Sequence, residues 1–93
     1  RAMLVRMVMN LRGSYLARRR LADALWTVEI ALVASPGDGA LTRDRVVLLA
    51  GLGRYEAAEA EARAYLSTHP GSPERDALER QIAAIEDIRR SMN

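Results

Sequence analysis

The chain has 93 residues, 49% of them apolar, with no cysteine, no phenylalanine and a formal net charge of +2, which allows one domain with one modest core. Without cysteine it holds no disulfide framework, thiol nucleophile or thiolate metal site. All 14 cations are arginine: six lie in residues 1–20 with no acid among them, and the remainder sets eight against 12 acids, so one end is basic and the other mildly acidic.

Residues 2–18 form the first stretch of helix length. Ala2, Met3, Leu4, Val5, Met7, Val8, Met9 and Leu11 are apolar, with Arg6 and Asn10 between them. The run is too short to span a bilayer and has no small-residue cleavage pattern behind it. A terminal helix with one neighbour needs one apolar stripe, whereas this one is apolar on nearly all sides. Met3, Leu4, Met7, Val8 and Leu11 are therefore a candidate docking edge, to be covered by a preceding domain or, as a homodimer, by a second copy. The opening Arg, where a complete chain would carry Met, reads as a piece of a longer polypeptide.

Arg18-Arg19-Arg20 is read as a turn into a second helix over residues 21–34. Ser35-Pro36-Gly37-Asp38-Gly39 is the clearest turn signal, followed by a third helix over 40–50. Gly51-Leu52-Gly53 ends that helix, with Gly53 able to take the positive φ such an ending needs. A fourth helix spans 55–67, and His69-Pro70-Gly71-Ser72-Pro73 precedes a fifth over 73–92. Ser72 can cap the last helix, with Pro73, Glu74 and Asp76 suited to its first turn. Leu78, Ile82, Ile85, Ile88 and Met92 recur at spacings of four, three, three and four, which makes one apolar stripe.

An internal repeat organises these helices. Arg20, Leu21, Ala24, Leu32, Pro36 and Gly37 recur 34 residues later as Arg54, Tyr55, Ala58, Leu66, Pro70 and Gly71. Ala24 and Ala58 sit early in the second helix of each pair, where a small side chain lets two helices approach. Pro36 and Pro70 end that helix and start the link to the next unit. A helix–turn–helix period of 34 residues resembles the tetratricopeptide repeat. The expected fold is all-α: two tetratricopeptide-like repeats, about 5–38 and 39–72, closed by a capping helix over 73–92, five helices in a right-handed superhelical stack. The Trp-x-x-Leu-Gly-x-x-Tyr positions of the consensus are Val8, Leu11, Arg12 and Tyr15 in the first unit, and Thr42, Arg45, Val46 and Leu49 in the second.

Met7 to Leu16 (MVMNLRGSYL), Arg43-Asp44-Arg45, the run Leu52-Gly53-Arg54-Tyr55-Glu56-Ala57-Ala58, and Ala64-Tyr65-Leu66 before Pro70 together resemble the C-terminal repeat region of bacterial transglutaminase-like proteins. That resemblance implies a cytoplasmic bacterial protein whose transglutaminase-like core precedes residue 1. No catalytic residue carries over to this chain.

Nothing else in the sequence assembles a chemical site. His69, the only imidazole, lies in a turn with no nucleophile or further ligands at useful spacing, and reads as a solvated turn residue. Gly51-Leu52-Gly53 ends a helix, whereas phosphate-binding loops open one. Glu59/Arg63 and Glu86/Arg90 stand four apart as helix-surface pairs. No cofactor, metal site or membrane span is expected, and the chain reads as a protein- or peptide-binding scaffold without catalysis. By analogy with the repeat, the concave groove is lined by Arg6, Met9, Gly13 and Leu16 in the first unit. Ala40, Arg43, Val47 and Ala50 line it in the second. Met9 and Gly13 stand where a carboxylate clamp needs a cation and an amide, which argues against that use. The alternative function is nucleic-acid binding through Arg6, Arg12 and Arg18-Arg19-Arg20, although no aromatic stacking set accompanies them.

Overall fold

Arginine is among the better helix formers, and Arg18-Arg19-Arg20 contains neither Gly nor Pro to interrupt the backbone. The computed structural model describes residues 2–92, with side chains for residues 17–92. It carries the chain straight through that run as one helix, α1 (Ala2–Ala34, 33 residues). The expected turn at 18–20 is therefore corrected: the described residues form four helices rather than five.

The second unit supplies the reason. The turn after α2 (Gly39–Gly51) passes through Gly53 at a φ of 80°, a left-handed conformation that costs a residue with a Cβ about 1–2 kcal/mol. Thirty-four residues earlier stands Arg19. The first unit thus keeps the helical backbone where the second turns.

Two further helices complete the chain, α3 (Tyr55–Thr68) and α4 (Arg75–Met92). The α2 start is capped by Asp38, whose carboxylate accepts the Leu41 N–H at 3.0 Å. Before α4, the Ser72 hydroxyl accepts the Glu74 N–H at 3.1 Å and its carbonyl accepts the Arg75 N–H at 3.1 Å. The helix accordingly begins at Arg75 rather than at Pro73. Pro36 and Pro70 each stand two residues past a helix end, at Ala34 and Thr68.

Successive helices pack on one another, α1 on α2, α2 on α3 and α3 on α4, and α4 also returns to touch α2. α1 runs antiparallel to α2: Leu21 lies beside Gly51, and Glu29 pairs with Arg45. α2 therefore ends level with Leu21. Residues 2–20, about 28 Å of helix at 1.5 Å per residue, continue beyond it. That overhang gives a long axis of 53 Å and a radius of gyration of 15.7 Å, against about 12 Å for a compact chain of this length.

The core gathers Leu25 from α1, Val46 and Leu49 from α2, Ala58 and Ala62 from α3, and Leu78 and Ile85 from α4. Ala58 and Ala62, one turn apart, are fully buried, and their small size brings the α3 backbone close to its neighbours. Ala24 was expected to do the same in the first unit, but it is exposed. The helix that should cover it, residues 5–17, lies farther along α1 instead of beside it.

The repeat is visible in the packed molecule. One open cleft is lined by Glu29, Leu32, Val33 and Arg45 together with Glu61, and another by Arg63, Leu66, Ser67 and Glu79 together with Ile82. The first four lining residues of each lie 34 apart in order, with the charges reversed. Residues 21–34 of α1 are thus the counterpart of α3, and α2 is the counterpart of α4.

Candidate docking surface

The second half of α1 has two apolar faces. Leu21, Leu25 and Leu32 lie toward α2, with Leu25 buried and the other two half-buried. Trp26, Ile30 and Val33 recur at spacings of four and three on another face and are 67%, 51% and 84% exposed. Their counterparts on α3 are Ala60, Ala64 and Ser67, also exposed. Both repeats leave this outer face uncovered, yet the first carries large apolar side chains there and the second small ones. Repeat packing does not require them. A contiguous exposed apolar stripe anchored by Trp is the composition of a protein contact.

The side chains of Met3, Leu4, Met7, Val8 and Leu11 lie outside the described residues, as do those of Arg6, Met9, Gly13 and Leu16. Of the groove candidates that are described, Arg43 is half-buried between α2 and the start of α4. It donates to Glu74 at 3.0 Å and to Asp44 at 3.4 Å, so its charge is already spent on holding two helices together. Val47, one turn on, is 43% exposed. Arg18, Arg19 and Arg20 are exposed, but successive residues lie about 100° apart around a helix. They cover three sides and form no stripe that could follow a phosphate backbone.

Other polar groups join helices. Arg45 donates to Glu29 on α1 at 2.9 and 3.2 Å and also pairs with Glu61 on α3, linking three helices. Glu59 is 9% exposed. Its carboxylate accepts from Arg63 at 2.7 and 3.0 Å and from Arg89 on α4 at 2.6 Å. The Arg63 hydrogen bond holds the Glu59 carboxyl below its ordinary pKa; burial opposes that shift and Arg89 reinforces it. The same bond raises Arg63. The expected Glu86–Arg90 pair does not form: Glu86 reaches Arg63 across the helix interface at 2.6 Å, and Arg90 turns to Asp87. Glu59–Arg63 does form, as part of an interhelical cluster rather than as an isolated surface pair.

His69 is exposed but not loose. Its ring stacks on Tyr65 at 4.2 Å between centroids, and Nδ1 lies 2.8 Å from the Thr68 hydroxyl. The Tyr65 hydroxyl lies 3.4 Å from that of Ser72, and a Cβ built on Gly39 would stand 2.6 Å from it. Gly39 is thus where α2 begins in close contact with the α3–α4 turn, a packing role that its place in a turn motif did not reveal.

Among the described residues, no group of three or more His, Asp or Glu is placed to hold a metal, and no helix is long and apolar enough to cross a membrane. The cleft between α3 and α4, about 440 Å³, is open to solvent. Its ionic residues Arg63 and Glu79 are engaged with Glu59, Glu86 and Arg75. Leu66 and Ile82 contribute apolar surface beside them.

A tetratricopeptide repeat family profile matches residues 11–83, and the chain belongs to the tetratricopeptide repeat family. Repeats of this family generally mediate protein–protein interaction. No curated protein and no solved structure matches the chain significantly.

Proposed function

We propose that the chain is a non-catalytic docking module in which α1 presents Trp26, Ile30 and Val33 to a protein partner. The partner we infer is a transglutaminase-like domain preceding it in the same polypeptide, in a bacterial cytoplasm. The observation that carries this reading is the exposed Trp26–Ile30–Val33 stripe, set where the second repeat has Ala60, Ala64 and Ser67. Two points favour that partner. The resemblance to transglutaminase-like proteins puts such a core ahead of the repeats, and α1 is the element through which it would be joined. The groove position at Val47 is a secondary contact in this scheme. Nucleic-acid binding ranks below it, because Arg18, Arg19 and Arg20 spread around the helix.

Trp26 is the only tryptophan, so its emission reports directly on the proposed surface. The test is to titrate this chain with the separately produced polypeptide that precedes Arg1 in its reading frame. A saturable blue shift of Trp26 emission is expected, absent in Ile30→Asp at unchanged helix content. No shift in the wild-type chain overturns the proposal.

A further inference from the structure

The 34-residue correspondence defines a place in the first repeat that the chain leaves empty. In the second repeat α2 lies along α3, where Ala58 and Ala62 are fully buried. On the same side Glu61 pairs with Arg45, and the Tyr65 hydroxyl meets Gly39. The counterparts of Ala58, Glu61, Ala62 and Tyr65 on α1 are Ala24, Thr27, Val28 and Ala31. They stand at i, i+3, i+4 and i+7, one continuous helical face. Ala24 and Thr27 are exposed, and Val28 and Ala31 are only half-buried. This face is centred about 140° around the helix from the Trp26–Ile30–Val33 stripe, and only Thr27 and Ile30 come near one another at its edge. The counterpart of α2, the helix that belongs on it, is residues 5–17.

Those residues cannot reach it within one chain. They belong to the same straight helix α1, and the residue that would have to turn, Arg19, stands where Gly53 adopts a φ of 80°. In a straight helix residue 11 lies about 24 Å from residue 27. The corresponding residues of the second repeat, Arg45 and Glu61, are in direct contact.

We infer that the empty place is filled by residues 5–17 of a second copy of this chain. Each α1 lays its N-terminal half on the Ala24–Thr27–Val28–Ala31 face of its partner, completing both first repeats in a reciprocally swapped dimer. The segment offered, with Val5, Met7, Val8, Met9 and Leu11, has the apolar content such a contact needs. This inference does not rest on the docking proposal above, which concerns another face.

The chain has no native cysteine, so the contact can be trapped cleanly. Leu11→Cys/Thr27→Cys, treated with a short bis-maleimide, is expected to give a covalent dimer on a denaturing gel. Adding Arg19→Gly, which restores the turn residue, is expected to move the cross-link within one chain and return the product to monomer. Placing Ala24→Arg on the receiving face, at an exposed position, is expected to abolish the dimer at unchanged helix content. An intrachain cross-link with Arg19 in place would show that the repeat closes by itself and overturn the inference. Absence of any cross-link would overturn it as well. So would a dimer that persists in Ala24→Arg, since association would then use another face such as the Trp26 stripe.

Discussion

Glu59 is the residue whose environment departs most from its sequence context. Four residues from Arg63, it reads as half of a helix-surface pair, a motif worth a few tenths of a kcal/mol. Its burial and its third bond come from Arg89, 30 residues away on α4, and no local pattern announces that. Its carboxyl is held below the ordinary value of 4.5 by the Arg63 hydrogen bond, then by Arg89, against the opposing effect of burial. The sign follows from linkage: a carboxyl depressed in the folded state stabilises it fully above about pH 4.5, and that contribution is lost as pH falls through the lowered folded value. Melting temperatures between about pH 6 and pH 3 should therefore fall less steeply in Glu59→Gln than in the wild type. Parallel slopes would remove Glu59 from the acid response. Other single residues were legible. The stripe Leu78, Ile82 and Ile85 is buried or half-buried as its spacing requires, while Ile88 and Met92 continue it but are exposed.

At the scale of elements, one residue explains why the two units differ. Gly53, at φ 80°, permits the α2–α3 turn, and Arg19 has no such freedom. Turn chemistry in the second unit was readable because Gly announces itself. The continuity of α1 was hidden because repeat spacing asks for a turn at 18–20, whereas three arginines favour helix. Spacing locates the place of a turn, but the backbone needs a residue that can make one. Gly53→Ala should cost about 1–2 kcal/mol in a denaturant melt, since nothing crowds a Cβ there and the conformation alone is penalised. A neutral result would mean that the turn does not depend on the left-handed φ. The outer stripe of α1 was hidden for a different reason. Trp26, Ile30 and Val33 interleave with Leu21, Leu25 and Leu32, and periodicity alone does not say which of two apolar faces meets a neighbour.

The whole molecule is a repeat stack whose second unit is closed and whose first is open. Closure follows from Ala58 and Ala62 fitting between α2 and α4, with Arg45 and the Glu59 cluster bridging the seams. Openness follows from α1 running straight past the end of α2. The vacant face at Ala24, Thr27, Val28 and Ala31 depends on that straightness. The stripe at Trp26, Ile30 and Val33 does not; it would remain outward if the first unit closed. The most direct measurement is therefore a spin-label distance within one chain, between Val5→Cys and Ala31→Cys, with labelled protein diluted into unlabelled. Their counterparts are Gly39 and Tyr65, which touch. A continuous α1 predicts about 39 Å, from 26 residues at 1.5 Å each. A distribution centred near the roughly 10 Å spacing of packed helices would contradict it, because the first repeat would then close on itself and have no place for a second copy.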